Sequence, residues 1–197
     1  THKSTNYDED RFEVCNHKYT ALSEPNRTFA ILNDCKYGVS TNENKIALTL
    51  LRAPVIPDMY SDQGIHEFTY SIYLDDCSFY ESDVIKEGYC LNVPLTVFNR
   101  VMERKSFIKL NHKDVIIETV KLAEDSSNDI IVRLYESKGG HCSCNLDIDY
   151  HAQAVYEVMM TEEIEEASSV LPMLYNEGRT STQLSFSPFE IKTIRIR

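Results

Sequence analysis

The stretch Leu32-Asn33-Asp34-Cys35-Lys36-Tyr37-Gly38 places polar and turn-forming residues at the end of a predicted strand. A strand in a plain core needs only alternating apolar positions. The polar composition continues downstream, through Leu50-Leu51-Arg52-Ala53-Pro54, Pro57-Asp58, Asp62, Gly64 and His66-Glu67-Phe68-Thr69-Tyr70. Such a composition is typical of a rim at strand ends, facing a hydroxyl-rich ligand or another domain.

Apolar and polar residues alternate around this stretch with the period of a β-strand. Bounded by Asn, Asp, Gly and Ser, this pattern predicts short strands, and the chain shows no regular alternation of strands with helices. We therefore predict an all-β fold, a β-sandwich. The alternation predicts a core that contains Ile46, Leu48, Leu50, Phe68, Tyr70, Ile72, Val132 and Leu134.

Two segments do not fit a single pattern. Residues 155–167 carry apolar residues near helical spacing with many Glu, which is compatible with a short helix or with a strand that runs into an acidic loop. Residues 94–109 have no clear period and read as a loop crossing between sheets. With no repeat and no low-complexity linker, we predict a loose N-terminal tail over residues 1–10 and one domain over residues 11–197.

The composition excludes several classes of protein. The formal net charge is −11, which repels phosphate backbones and argues against a nucleic-acid partner. Part of this charge lies in the acidic run 161–166, which we interpret as a solvated face or loop. No apolar run approaches the roughly 18 residues of a membrane span, so we expect no membrane partner. The chain begins with Thr rather than Met, and we expect it to be a segment of a longer protein.

The six cysteines are Cys15, Cys35, Cys77, Cys90, Cys142 and Cys144. A chain of this length does not depend on disulfides for stability, and no secretory signal is visible. We therefore predict free thiols and a cytoplasmic location.

Two groups of residues invite a metal-site hypothesis. Asp58, Asp62 and His66 are four residues apart, but Pro57 and Gly64 argue against a helix there. Carboxylates that cap turns, or a rim that hydrogen-bonds sugar hydroxyls, explain the same residues. The run His141-Cys142-Ser143-Cys144 has only one residue between its cysteines, so a turn that leads into a strand is the better interpretation. We predict no metal site and no catalytic residue in this chain.

The motifs, taken in order, resemble the retaining α-mannosidases of glycoside hydrolase family 38, in their cytosolic, vacuolar and bacterial branch. The resemblance covers nearly the whole chain and looks like the C-terminal β region of those enzymes. It rests on Arg11–Val14, Ala30–Gly38, Leu50–Pro54, Pro57-Asp58, His66–Tyr70, Glu118–Asp125, Val132–Glu136 and Phe186–Thr193.

The resemblance implies a galactose-mutarotase-like supersandwich and a role in hydrolysing terminal α-mannosyl residues of oligosaccharides. In that family the nucleophile, the acid/base and the zinc ligands come from upstream regions, and no motif here matches them. We therefore expect zinc only in the intact enzyme, an upstream catalytic domain of the same chain as partner, a mannose-containing oligosaccharide as substrate, and no activity in this segment alone.

The resemblance assigns the segment a supporting role, with one side of the sugar pocket as a further role. A stand-alone carbohydrate-binding module and a purely structural β domain are the alternatives; the absence of Trp counts against the module. The candidate residues for contact with substrate or with the catalytic domain are Asn33, Asp34, Lys36, Tyr37, Arg52, Asp58, Asp62 and His66. Because buried charges need partners, we expect Asp34, Asp58 or Asp62 within salt-bridge reach of Lys36 or Arg52.

Overall fold

The chain folds almost entirely into β-strands. The structure, a computed structural model, describes residues 13–97, 99, 105–164 and 169–197. The chain divides into two compact units, Thr1–Asn99 and Arg100–Arg197. The boundaries predicted from the sequence, a tail over 1–10 and one domain over 11–197, stay a prediction; the tail lies outside the described residues. The all-β prediction is confirmed.

In its described residues, the first unit contains two three-stranded antiparallel sheets and one helix. The sheets have the strand orders β1-β4-β5 and β2-β3-β6. The elements are β1 Val14–Cys15, β2 Tyr19–Glu24, β3 Arg27–Asn33, β4 Gly38–Asn42, β5 Lys45–Leu48, β6 Tyr70–Asp75 and α1 Val84–Asn92.

Helix α1 packs on one face of the β2-β3-β6 sheet. Val84 and Ile85 of the helix are buried. The α-carbon of Gly88 lies so close to β2 that an added Cβ would be 3.5 Å from the Tyr19 ring. Tyr19 is paired with Leu32 of β3, so Ala30 and Leu32 point toward the helix and are buried. The Asn92 side chain donates to the Asn33 carbonyl over 3.0 Å and ties the end of the helix to the same sheet.

The predicted register of β6 is wrong. Tyr70 and Ile72 were predicted in the core, but they are 54% and 64% exposed. The opposite face of the strand meets α1 instead, because the Tyr73 hydroxyl accepts the Asp83 backbone N–H (3.1 Å) and donates to Asp75 (2.5 Å). This position raises the pKa of Tyr73 to about 12, first through burial and then through the hydrogen bond to Asp75.

The other core predictions have mixed outcomes. Val132 and Leu134 are fully buried, as predicted. Ile46, Leu48 and Phe68 are half-buried. Leu50 was predicted in the core and is exposed, since it lies beyond the end of β5.

The second unit is a β-sandwich. Its sheets have the strand orders β13-β14-β10-β7 and β12-β11-β15-β9-β8, and all the pairings between neighbours are antiparallel. The strands are β7 Ile108–Leu110, β8 Val115–Leu122, β9 Ile130–Glu136, β10 Cys142–Ile148, β11 Val155–Val158, β12 Ser169–Val170, β13 Leu174–Asn176, β14 Arg179–Phe186 and β15 Ile191–Ile196.

Alternate residues of both sheets meet in one core. Leu146 and Ile148 of β10 are fully buried, and so are Leu134 of β9 and Ile194 of β15. Inward-facing positions that alternate along strands of two stacked sheets are the defining pattern of a sandwich.

The ambiguous segments resolve as follows. Val155–Val158 is a strand, β11, followed by an irregular acidic stretch; residues 165–168 lie outside the described residues. The prediction of a solvated acidic loop is wrong for Glu162, which is 4% exposed. Its carboxylate pairs with Lys121 (3.0 Å) and Arg133 (2.6 Å), so two cations draw it inward.

The other uncertain segments can be placed in part. The interpretation of residues 141–144 as a turn into a strand is confirmed, since β10 begins at Cys142. The stretch 94–109 falls partly outside the described residues, and its end enters β7. In the described parts of the chain, no helix combines the length and apolar character that crossing a membrane requires.

Candidate functional site

Half of the candidate residues lie in residues 49–69, the connecting segment between β5 and β6. This segment has no regular secondary structure up to Thr69. Three of its residues have a positive φ: Ala53 at 45°, Asp62 at 59° and Gly64 at 133°. Only the Gly64 value lies in a region that essentially requires glycine. The segment therefore has a defined path rather than that of an extended strand.

Two carboxylates fix this path by accepting backbone hydrogen bonds. Asp62 accepts the Ala53 N–H over 3.0 Å, and Asp58 accepts the Tyr60 N–H over 2.9 Å. The His66 ring nitrogen Nε2 lies 2.8 Å from the Asp62 carbonyl oxygen, which makes Nε2 the donor. These contacts support the interpretation of carboxylates as turn caps.

Arg52 pairs with a carboxylate, and most of its side chain is exposed. Its Nη2 lies 3.0 Å from the Glu13 carboxylate, while 61% of its side chain stays exposed. Glu13 also accepts a hydrogen bond from the Thr49 hydroxyl. The guanidinium group is thus oriented by a carboxylate, and most of the side chain remains exposed.

Asn33 supports the chain from inside the first unit. It is fully buried, donates to the Asn16 side chain over 2.7 Å and accepts the Lys36 N–H over 3.0 Å. The sequence prediction treated this residue as part of the rim. In the structure its amide closes the turn that follows β3.

Asp34 and Lys36 connect that turn to the end of the connecting segment. Asp34 accepts the Thr69 N–H over 2.9 Å and donates its own N–H to the Thr69 carbonyl over 3.2 Å. Hydrogen bonds from the Cys35 thiol and from Thr69 lower the pKa of Asp34. The Lys36 ammonium group lies 4.7 Å from the centre of the Phe68 ring, a cation–π contact.

The eight candidates thus lie in two stretches of the chain, and Asp34 and Lys36 connect the first stretch to residues 68–69. Asn33, Asp34 and Lys36 meet residues 68–69 or the neighbouring turn, and Tyr37 packs on His17 with 4.8 Å between ring centres. Arg52, Asp58, Asp62 and His66 belong to the connecting segment. The sequence predicts Asp34, Asp58 or Asp62 within salt-bridge reach of Lys36 or Arg52, and this stays a prediction. The structure also pairs Arg52 with Glu13, a residue that the sequence reasoning did not select.

Exposed apolar residues in the same segment were also missed. Ile56 is 82% exposed and Ile65 is 95% exposed. Val55, Met59 and Tyr60 are exposed as well. Only their residue types, not a periodic pattern, mark these side chains in the sequence.

The second unit has a polar cleft of its own, of about 480 Å³. On one side, Asp149 accepts from Arg179 (3.0 Å) and pairs with Lys105 (2.9 Å). These two cations lower the pKa of Asp149. The cleft is lined by Lys105, Ser106, Lys109, Asp147, Ile148, Asp149, Leu174, Asn176, Glu177, Arg179, Thr180 and Ser181, among which there is no aromatic side chain.

Within residues 13–97, 99, 105–164 and 169–197, no three His, Cys, Asp or Glu side chains come together in a way that could hold a metal ion. Cys144, in the run 141–144, is 2% exposed, and burial raises its pKa to about 11. Such a thiol is protonated at neutral pH and is a poor metal ligand.

Two family models match the chain, in order. The glycosyl hydrolases family 38 C-terminal domain matches residues 1–60, and the glycosyl hydrolases family 38 C-terminal beta sandwich domain matches residues 114–194. The chain therefore belongs to glycosyl hydrolase family 38, as part of its C-terminal β region.

Curated relatives with this region are α-mannosidases. Alpha-mannosidase G of Dictyostelium discoideum is 38% identical over 99% of this chain and 18% of its own length. Alpha-mannosidase 2C1 of Homo sapiens is 36% identical over 98% of the chain and 19% of its length. The alpha-mannosidase of Saccharomyces cerevisiae is 32% identical over the whole chain and 20% of its length. The chain thus spans about one fifth of the length of these relatives.

A solved structure shares the fold. A family 38 protein from Enterococcus faecalis superposes with a TM-score of 0.69 at 17% identity, over 94% of this chain and 22% of that chain. An alpha-mannosidase from E. faecalis V583 gives the same TM-score at 16% identity.

Proposed function

We propose that this chain is the C-terminal β region of a retaining, zinc-dependent α-mannosidase that removes terminal α-mannosyl residues from oligosaccharides in the cytoplasm. The observation that carries this proposal is the similarity to alpha-mannosidase G over 99% of the chain. Within the enzyme, the region buttresses the catalytic domain, and the connecting segment lines one side of the sugar pocket.

The reacting groups belong to the rest of the longer polypeptide. A retaining glycosidase needs two carboxyl groups about 5–5.5 Å apart, one as nucleophile and one as acid/base. Here the carboxylates of Asp34, Asp58 and Asp62 each accept a backbone N–H, so they hold turns. The described residues also contain no cluster of His, Cys, Asp or Glu side chains that could bind a metal ion. We therefore expect the chain alone to be inactive.

Arg52 is the residue of the connecting segment best suited to contact the sugar. Its guanidinium group is held by Glu13 but keeps most of its surface exposed. A guanidinium presents several N–H donors in a fixed plane, which suits the adjacent hydroxyls of a hexose. Asp58, Asp62 and His66 then act by maintaining the shape of the segment.

The test uses the longer polypeptide that contains this chain, with a chromogenic α-mannoside as substrate. We expect hydrolysis that a zinc chelator abolishes and a first product with the α configuration, read by NMR. Arg52→Ala should lower kcat/KM by about tenfold or more, which corresponds to roughly 1.4 kcal/mol of transition-state binding. Lys45→Ala, an exposed cation in β5, is the matched control and should leave kcat/KM unchanged.

Three outcomes contradict separate parts of this proposal. A polypeptide without α-mannosidase activity removes the assigned reaction. A first product with the β configuration contradicts the retaining mechanism. Activity that survives chelation contradicts the zinc dependence. Equal kcat/KM values for the Arg52 and Lys45 variants remove the connecting segment from the pocket.

A stand-alone carbohydrate-binding module is the second candidate, and the polar cleft of the second unit favours it. Asp147, Asp149 and Asn176 supply the planar polar groups that hydrogen-bond sugar hydroxyls. Against it, the lining contains no aromatic ring on which a sugar could stack. Calorimetric titration of this chain with mannose and with mannobiose distinguishes the two candidates. Saturable binding supports the carbohydrate-binding module, and the absence of binding heat supports the supporting role.

A further inference from the structure

One face of the β2-β3-β6 sheet is apolar, with exposed side chains on β6 and half-buried ones on β3. We name it the apolar face and define it by Phe29, Ile31, Tyr70, Ile72 and Leu74. The register pairs Ile31 with Ile72 and Phe29 with Leu74, so these side chains lie on the same side of the sheet. Ile72 is 64% exposed and Leu74 is 68% exposed.

Helix α1 does not cover this face. The helix packs against the side of the sheet that carries Ala30, Leu32 and Tyr73, as the close approach of Gly88 to Tyr19 shows. Since successive residues of a strand point to opposite sides, Phe29, Ile31 and Ile72 point away from the helix. In β6, Ser71, Tyr73 and Asp75 thus lie on the helix side, whereas Tyr70, Ile72 and Leu74 lie on the opposite side.

The apolar face has the composition of a permanent interface. No charged side chain stands among its five residues, although the whole chain carries a net charge of −11. An ion pair lies at its rim, where Arg27 and Asp76 are 3.6 Å apart and both exposed. An uncharged centre with a polar rim is the anatomy of a stable protein interface, and obligate interfaces are the most apolar.

The length of the relatives indicates which surface covers it. The chain spans 18–20% of the length of the curated α-mannosidases and 22% of the solved family 38 chain. A polypeptide of that length therefore has about four fifths of its residues outside this region, in the same molecule and at high effective concentration.

We propose that the apolar face is the surface on which the remainder of the same polypeptide docks, through an uncharged apolar patch of that remainder. This inference rests on the proposed function, which makes the chain one region of a longer enzyme. It assigns the buttressing role to Phe29, Ile31, Tyr70, Ile72 and Leu74, and it explains why β6 exposes large apolar residues that a strand of an isolated domain would bury.

Photo-crosslinking in the longer polypeptide tests the inference. Tyr70 is replaced by p-benzoylphenylalanine, which is close to tyrosine in shape, and the crosslinked peptides are mapped by mass spectrometry. We expect crosslinks from position 70 to segments outside residues 1–197. The matched control is Tyr80, which is 66% exposed and lies on the helix side of the sheet, since the neighbouring Phe79 stacks on Tyr19. The same replacement there should not crosslink to those segments.

Every other crosslink pattern overturns the inference. Crosslinks to residues 100–197 mean that the second unit covers the face, crosslinks between two copies mean a dimer, and no crosslink means an uncovered face. As a second measurement, Ile72→Asp in the longer polypeptide should lower its thermal midpoint by several degrees, whereas Leu122→Asp, an equally exposed position at 60%, should not. Equal midpoints for these two variants also overturn it.

Activity on the same preparations separates this inference from the proposed function. If the polypeptide is an active α-mannosidase and its apolar face is uncovered, the proposed function stands and the docking surface is contradicted. If the polypeptide is inactive but position 70 crosslinks to segments outside residues 1–197, the docking surface stands and the α-mannosidase assignment is contradicted.

Discussion

Arg195 and Asp129 form an ion pair inside the second unit: Nε donates to Oδ2 over 2.7 Å, and the two side chains are 3% and 6% exposed. Arg195 also pairs with Asp125 (2.6 Å) and donates to the Glu162 carbonyl (2.7 Å), while Arg197 adds a second cation to Asp129. Burial alone would raise the pKa of Asp129, but the hydrogen bonds from Arg197 and Arg195 outweigh it and lower the pKa.

Removing Asp129 should therefore destabilise the protein strongly. Asp129→Ala removes the buried carboxylate partner of Arg195 and leaves it paired with the more exposed Asp125. We expect a loss of about 3 kcal/mol in the free energy of unfolding. Asp76→Ala, in the exposed pair with Arg27, is the control and should change it little. Urea midpoints at constant slope measure both variants. Equal shifts of the two midpoints would show that the buried pair contributes no more than a surface pair.

The Glu136 carboxylate should make stability depend on acidic pH. It is 1% exposed and accepts the backbone N–H groups of Lys138 (2.8 Å), Gly139 (2.7 Å) and Phe189 (2.9 Å). Burial opposes the ionised form, yet these hydrogen bonds dominate, so the pKa in the folded protein lies below 4.5. The stabilisation is fully present above the unfolded-state pKa and is lost as pH falls through the lower folded-state pKa.

Glu136→Gln tests this dependence. The variant should be about 1–3 kcal/mol less stable at pH 7, because the amide cannot accept all three N–H groups as a carboxylate does. Its stability should also fall less than that of the wild type between pH 5 and pH 3. Glu43→Gln, an exposed turn residue, controls for the change of charge. Parallel stability profiles for the wild type and the Glu136 variant would contradict the assignment.

The register of the first sheet predicts opposite outcomes for two apolar residues. Leu32 is 5% exposed, so Leu32→Ala should cost about 2–5 kcal/mol of unfolding free energy. Ile72→Ala should cost less than about 1 kcal/mol in this chain, since its side chain is already solvated. Chemical denaturation of the two variants gives the comparison. A larger loss for Ile72 than for Leu32 would reverse the faces of the sheet.

Thiol reactivity should distinguish Cys144 from the other cysteines. All six are free in the structure, and we expect six thiols in the reduced, denatured protein. In the native protein at pH 8, Cys144 should react slowest, because it is 2% exposed and its pKa is raised to about 11. Exposed Cys90 is the internal reference. Mass spectrometry of partially labelled protein would refute this if position 144 were modified as fast as position 90.

The sequence predicted those features that depend on local pattern and on ordered motifs. Alternation was sufficient for the strands around Val132 and Leu134, which are buried as predicted. The motifs, taken in order, were sufficient to identify the family. In β6, alternation correctly shows that Tyr70 and Ile72 share a face, but it cannot show that α1 covers the other one. The usual assumption that the apolar side points inward then gives the wrong register.

Partners distant in the sequence were beyond this reasoning. Glu162 stands in an acidic run that is typical of a solvated loop, and only the fold brings Lys121 and Arg133 to its carboxylate. Glu13, which pairs with Arg52, lies just before β1 and 39 positions before Arg52 in the chain, so no local pattern indicates this contact. The polar residues of the connecting segment were found by composition, and the turns that they cap became visible only in the structure.

The position of β6 has a practical consequence for handling the protein. Among the described strands, β6 pairs only with β3 and is therefore an edge strand, whose outer backbone groups pair with no other described strand. One side of this strand carries the exposed residues Tyr70, Ile72 and Leu74. An exposed apolar edge strand is a template for strand addition between molecules. Expressed without the rest of its polypeptide, the chain should aggregate through this strand, and a charged residue at position 72 should delay the onset of turbidity.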